Sequence, residues 1–168
     1  NVERFGTAFG LFPYNQRWEE KKIVIKKIIS GGQTGADRGG LEAGKHLGLQ
    51  TGGTAPKGYK TENGSDPSLK NFGLVEHESS NYRYRTIKNV EDSDGTIWFG
   101  KTDSPGAILT INSARRLNRP LLVNPTLSLF KQWIDQKHIE VINVAGNRES
   151  KNPGIQEKVK NFLISVLK

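Results

Sequence analysis

The chain contains no cysteine and only three histidines, His46, His77 and His138, with no ligand-like spacing. Disulfides and thiolate metal sites are thereby excluded, a structural zinc is not expected, and a reducing, cytoplasmic location fits the composition. No stretch approaches the ~18 consecutive apolar residues that cross a bilayer, and no secretory leader is visible, so no membrane partner is expected. Two nucleotide-binding signatures are missing as well. There is no G-x-G-x-x-G, and Gly40-Leu41-Glu42-Ala43-Gly44-Lys45-His46 has the wrong spacing for a Walker A loop and ends in histidine. A nicotinamide oxidoreductase and a P-loop nucleotidase are both demoted.

What is present is one domain's worth of chain, 168 residues, with 25 Lys+Arg against 17 Asp+Glu and a net charge of +8. Such a balance attracts oxyanions, phosphorylated metabolites or nucleic acid. The lysine excess is diffuse, at Lys21, Lys22, Lys26 and Lys27 and again at Lys151, Lys158, Lys160 and Lys168. No arginine-rich arm or zinc-finger spacing accompanies it, so nucleic acid ranks behind a small anion.

Residues 1–22 mix Phe5, Phe9, Phe12, Tyr14 and Trp18 with Gly and Pro without periodicity, and read as an N-terminal arm or an expression remnant. From residue 23 the pattern alternates strand and helix to the end. The apolar run Ile23–Ile29 predicts a strand, and Ala36, Gly40, Ala43 or Gly44, and Leu47 predict a helix with a small-residue face. A short strand at 49–54 is followed by a long irregular segment, 55–80, of the length that usually carries function. Helices are expected over 81–91, 106–117 and 127–136, and strands at 96–99, 120–123 and 141–145. The third helix should turn Ala107, Ile108, Ile111 and Ala114 inward, and the fourth should bury Leu129, Phe130, Trp133 and Ile134. Ile155, Val159, Phe162, Leu163 and Val166 mark an amphipathic C-terminal helix. Alternation of this kind means a mostly parallel sheet with helices on both faces, whose ligands gather at the carboxyl ends of the strands.

The chemistry is concentrated in the turns at those ends. Ser30-Gly31-Gly32-Gln33-Thr34-Gly35-Ala36-Asp37-Arg38-Gly39-Gly40 leaves a strand and opens a helix. Glycines let the backbone approach a ligand, and the first amides of a helix are free to hold an anion. Gly31, Gly32 and Gly35 are expected to supply amides, with Gln33, Thr34 and Arg38 adding side-chain donors. Gly100-Lys101-Thr102-Asp103-Ser104-Pro105-Gly106 offers a second donor set, from Lys101, Thr102, Ser104 and Gly106, with Ser104 as N-cap and Pro105 in the first helical turn. A third turn, Gly146–Gly154, brings Arg148, Ser150 and Lys151 to close the pocket. Tyr82, Arg85 and Asn89 share one face of their helix, Thr86 sits beside them, and Lys57 and Tyr59 are candidates to cover the guest from the long loop. Arg85 is the intended principal anion ligand, and the structural alternative pairs it with Asp92 or Asp94, which otherwise read as turn formers.

The motif Ser30–Arg38 resembles the opening of the molybdenum carrier proteins, Rossmann-like relatives of the lysine-decarboxylase-like phosphoribohydrolases. The resemblance continues through Ala55-Pro56-Lys57-Gly58 and Glu62-Asn63-Gly64, then Glu78, Ser79, Tyr82, Arg85-Thr86, Asn89-Val90 and Asp92-Ser93-Asp94-Gly95-Thr96. It covers roughly residues 27–168 and implies a single Rossmann-like α/β domain over 23–168. It also implies the cargo, molybdenum cofactor or molybdate, and a homo-oligomer, dimer or tetramer. The phosphoribohydrolases carry P-G-G-x-G-T-x-x-E at the second turn, whereas this chain has Gly106-Ala107-Ile108-Leu109-Thr110-Ile111 and no glutamate nearby. A glycosidic cleavage would have to recruit Glu42, Asp37 or Glu62 instead. The expectation is a carrier that breaks no bonds. The alternatives are a nucleoside-monophosphate phosphoribohydrolase-like enzyme and, behind it, a nucleic-acid-binding module.

Overall fold

The computed structural model describes residues 24–168; the expected arm, 1–22, and Ile23 lie outside the described residues. Eight strands and five α-helices follow in order: β1 (Lys27–Ile29), α1 (Ala36–His46), β2 (Gln50–Ala55), β3 (Lys60–Thr61), β4 (Gly64–Ser65), β5 (Leu74–Glu76), α2 (Tyr82–Glu91), β6 (Gly95–Phe99), α3 (Pro105–Arg116), β7 (Leu121–Val123), α4 (Leu127–Lys137), β8 (Val141–Gly146) and α5 (Ile155–Leu167). Six strands form one parallel sheet in the order β5-β2-β1-β8-β6-β7, and β3 and β4 make a separate hairpin. The chain steps outward from β1 through β2 to β5, crosses to β6 and β7, and returns to insert β8 at the centre. The strand order therefore reverses around β1, β8 and β6, the place where an open parallel sheet leaves a crevice.

The two faces of the sheet are filled differently. On one, α1 and α5 pack together over the central strands, with α4 beside α5. Gly40 of α1 lies against Val144, and Gly44 against Thr51 and Ile28. The opposite side of α1 puts Gly39 against α5 at Gln156 and Val159. Small residues on two sides let α1 sit tightly between sheet and helix. Here the core is apolar: Ile28, Ile97, Ile142, Val144, Phe130, Ile155, Val159 and Leu163 form one cluster, with each fully buried large aliphatic side chain contributing about 1.5–3 kcal/mol. On the other face α2 and α3 pack against each other, and the buried residues beneath them include Thr54, Asn89, Thr96, Thr110, Ser113 and Asn143.

Several sequence expectations need correction. The segment 55–80 is ordered by two 3-10 turns, the β3–β4 hairpin and the edge strand β5, not by irregular coil. Helix α3 buries Ala107, Thr110, Ser113 and Ala114, while Ile108 is half exposed. Helix α4 buries Phe130, Trp133 and Ile134, but Leu129 faces solvent. Asp94 is a tie: its Oδ2 accepts from the amides of Glu140 and Val141 at 3.0 and 2.8 Å, fixing the start of β8 beside β6.

Candidate functional site

A cavity of about 320 Å³ opens at the carboxyl ends of β1, β6 and β8 and runs between α2 and α3. Gly31 and Gln33 line it from the first turn, Arg85, Thr86 and Asn89 from α2, and Ser104, Gly106 and Thr110 from the second turn and α3. Arg148 and Lys151 line it from the third turn. The fold thus brings eight of the sequence-nominated binding residues to one place, together with Lys151.

The first turn does not work as its glycines suggested. Asp37, in the first turn of α1 and 4% exposed, reaches back into the amide cradle. Its Oδ2 accepts from the Gln33 amide at 3.1 Å and from Arg85 Nη1 at 3.2 Å. The expected open amides are therefore spent within the protein, that of Gln33 on Asp37, that of Gly32 on Ser30 Oγ at 3.3 Å and that of Thr34 on Gln33 Oε1 at 3.0 Å. Arg85 pairs with Asp37, not with Asp92 or Asp94. A Cβ on Gly31 would collide with the Arg85 guanidinium, so glycine here makes room for a side chain. Burial pushes the Asp37 carboxyl up, and Arg85 and the Gln33 amide only partly oppose it.

Among the described residues two buried side-chain donors remain without partners. Gln33 is 5% exposed; its Oε1 accepts from the amides of Thr34 and Glu62 at 3.0 and 2.9 Å, while Nε2 bonds nothing. Arg85 spends Nη1 on Asp37 and leaves Nε unpaired. A buried donor left unsatisfied costs about 1–3 kcal/mol, so two on residues lining one cavity suit a guest that accepts hydrogen bonds. Tyr82 is not among the lining residues; its ring lies 5.3 Å from the Arg85 guanidinium carbon, 5.5 Å from that of Arg148 and 4.8 Å from Lys60 Nζ. Three cations thus gather on one ring beside the cavity, Arg85 also pairing with Asp37 and Arg148 lying 3.9 Å from Glu62.

Other nominated residues serve the framework. Thr34 bonds Glu62 through Oγ1 and accepts from the Glu149 amide at 3.2 Å. Gly35, with φ 82°, lets the first turn press on the backbone of Asn147–Glu149, where a Cβ would clash. Arg38 is consumed by Asp66 at 3.0 Å and Glu42 at 3.5 Å; with Gly32 and Thr34 it borders a separate, shallower depression. Lys57 is exposed outside the cavity lining, as are Lys101 and Thr102. The backbone of Lys101 is locked instead: its amide donates to Asn147 Oδ1 at 2.7 Å, and its carbonyl accepts from Trp98 Nε1 and Asn147 Nδ2. Ser104 caps α3 by accepting from the Ala107 amide at 3.1 Å, and the space over Gly106 is open. Asn89 lines the wall while its side-chain amide pairs both ways with the Thr54 backbone, at 2.8 and 2.9 Å.

Glu62, at the tip of the β3–β4 hairpin, clasps the first turn through Thr34 and the third through Ser150. Desolvation raises its carboxyl, but the hydrogen bonds from Ser150 and Thr34, with Arg148 3.9 Å away, hold it below the usual value. Sequence reasoning did not nominate Trp98, Thr110, Asn143 or Asn147 for the site. One signal was visible: Asn143 interrupts the otherwise apolar strand Val141-Ile142-Asn143-Val144-Ala145. Among the described residues no group of three or more His, Cys, Asp or Glu could hold a metal, and no helix is long and apolar enough to cross a membrane.

This architecture is shared. The crystal structure of a "Putative molybdenum carrier protein" from Syntrophus aciditrophicus SB superposes with a TM-score of 0.80 at 37% identity, covering 88% of this chain and 97% of that one. No curated protein matches. Residues 28–167, which include every residue lining the cavity, match a family model, and the chain belongs to the Circularly permutated YpsA SLOG family.

Proposed function

We propose that this protein binds and carries a small anionic cargo, molybdenum cofactor or molybdate, in the cavity between α2 and α3. One observation carries the reading: the donors Gln33 Nε2 and Arg85 Nε, unpartnered among the described residues, belong to residues lining a cavity that Arg148 and Lys151 also line. The name borne by the Syntrophus protein supports the choice of cargo. Binding needs no protein thiolate: an oxyanion or a phosphate accepts hydrogen bonds directly, and arginine offers them in a fixed fork. The protein works as a cytoplasmic homo-oligomer in this reading.

Carriage is favoured over hydrolysis by the second turn, where Gly106-Ala107-Ile108-Leu109-Thr110-Ile111 supplies no glutamate, which leaves Asp37 as the one carboxylate lining the cavity among the described residues. The deciding experiment is native mass spectrometry of the protein as purified, followed by calorimetric titration with sodium molybdate and inorganic phosphate. A retained small anion, or a titratable site that Gln33→Glu weakens at least about tenfold, supports the reading. Steady release of free base from nucleoside monophosphates would replace it with the enzyme.

A further inference from the structure

The β3–β4 hairpin stands apart from the main sheet, and its two strands pair only with each other among the described residues. Its tip is drawn tight by Thr61, whose Oγ1 donates to the Gly64 carbonyl at 2.8 Å and accepts from the Asn63 amide at 3.1 Å. That turn presents Glu62, its side chain 11% exposed, to two chain segments at once. Oε1 accepts from Thr34 Oγ1 and from the Ser150 amide at 3.2 Å, and Oε2 accepts from Ser150 Oγ. The Glu62 backbone does something different: its amide donates to Gln33 Oε1 at 2.9 Å. Thr34, the next residue along, holds the same oxygen at 3.0 Å, whereas the Glu62 donor comes from 29 residues away and arrives only with the hairpin seated. With two N–H groups on its oxygen, the Gln33 amide has one orientation open to it, since the reverse would turn its NH2 group onto two donors. Nε2 is thereby left over, buried and without a partner among the described residues.

We infer that Glu62 is a positioning residue for the anion site: by seating the hairpin it fixes Gln33 with Nε2 free for the guest, so that hairpin docking and anion binding strengthen each other. The coupling rests on the reading that the cavity takes an anion, and it adds the element that prepares the cavity for one. Glu62 does not itself line the cavity. Its negative charge repels an anion, so any affinity it supplies passes through the groups it holds. Removing it therefore has two opposite consequences according to its role. As a mere counter-charge to Arg148, 3.9 Å away, its loss would free that guanidinium for the guest and raise affinity. As the seat of the hairpin, its loss releases the second donor on Gln33 Oε1, lets the amide turn, and lowers affinity. By linkage the effect runs both ways: whatever factor docking adds to anion affinity, the bound anion adds to docking.

The test is calorimetric titration of the intact protein with sodium molybdate and with inorganic phosphate. Glu62→Ala should weaken whichever probe the wild type binds at least about tenfold, within the usual span of coupling between sites. Glu62→Gln keeps an acceptor for Thr34 Oγ1 and the Ser150 amide, and should stay within about threefold of the wild type. On a Gln33→Ala background the Glu62→Ala change should cost less than about twofold, because the group it positions is already gone. An affinity unchanged or raised in Glu62→Ala, or a loss that adds in full to that of Gln33→Ala, overturns the coupling and leaves the anion site standing. Should Glu62→Ala fail to fold, hydrogen exchange at the Glu62 amide of the wild type decides. Saturation with the bound probe should slow that exchange at least about tenfold, and an unchanged rate overturns the coupling. A wild type that binds neither probe overturns the anion reading and the coupling together.

Discussion

Asp37 and Arg85 form an ion pair with side chains only 5% and 13% exposed, and this changes what a substitution there reports. Truncating one partner of a buried pair strands the other charge, at a cost of about 3–5 kcal/mol. Arg85→Ala should therefore lower the midpoint of chemical denaturation sharply as well as weaken binding. Asp37→Asn with Arg85→Ala should recover most of that stability but not the anion affinity. Recovery of both would remove Arg85 from the site. The two carboxyls also set opposite pH dependences. Glu62 is held below its ordinary value, so it contributes stability that is present above the usual glutamate range and lost as pH falls through its lowered value. Asp37 is raised, so its folded form binds a proton that the unfolded form has released, and stability declines as pH climbs from the usual aspartate range to the raised value. Melting curves across acid pH should show the Glu62→Gln variant losing less stability on acidification than wild type. The Asp37→Asn variant should lose the decline on the upper side. Glycine spacing made this region legible as an anion cradle, but a carboxylate four residues along the same helix turn was the first anion to reach it. Such a contact depends on the path of the turn, which residue types do not specify.

At the scale of elements, the second and third turns are held to one another by Asn147. Its side chain bonds both the amide and the carbonyl of Lys101, and its own amide donates to the Phe99 carbonyl at 3.0 Å. Asn147→Ala should free the 100–104 loop. Hydrogen exchange at the Lys101 amide should then accelerate at least about tenfold, since its protection derives from that bond; unchanged exchange would show the loop held by other contacts. Helices α1 and α5 were readable because their small and apolar residues recur at helical spacing, and burial of Ile155, Val159, Leu163 and Val166 follows that spacing. Helix α3 was misread at Ile108 for a physical reason. Its inward face meets a polar cavity, so Thr110 and Ser113 turn in and a branched aliphatic turns out, against the hydrophobic pattern. Strand β5 was missed because three residues at a sheet edge need only one neighbour, β2, and leave too short a pattern to detect.

For the whole molecule, the charge excess of +8 matters less for its size than for where the fold collects part of it. Arg148 is about a third exposed and Lys151 is exposed, so their pull on an anion is screened by salt, while the buried Gln33–Arg85 donors are not. Molybdate or phosphate affinity should fall several-fold between low salt and about 1 M sodium chloride and then level off. Replacing both Arg148 and Lys151 by alanine should remove most of that salt dependence and lower the melting temperature only slightly, through the loss of Arg148 beside Glu62. A salt slope that persists in the double variant would place the attraction elsewhere on the surface. Residue order alone determined the alternation of strand and helix, the parallel sheet and the glycine turns after β1, β6 and β8, because backbone periodicity and glycine placement are local properties. Only the tertiary structure decided that Asp37 takes the Gln33 amide, that Arg38 is spent on Asp66 and that Asn143 lines the cavity. Those outcomes are contests among distant groups for the same partners, and the packing of elements settles them.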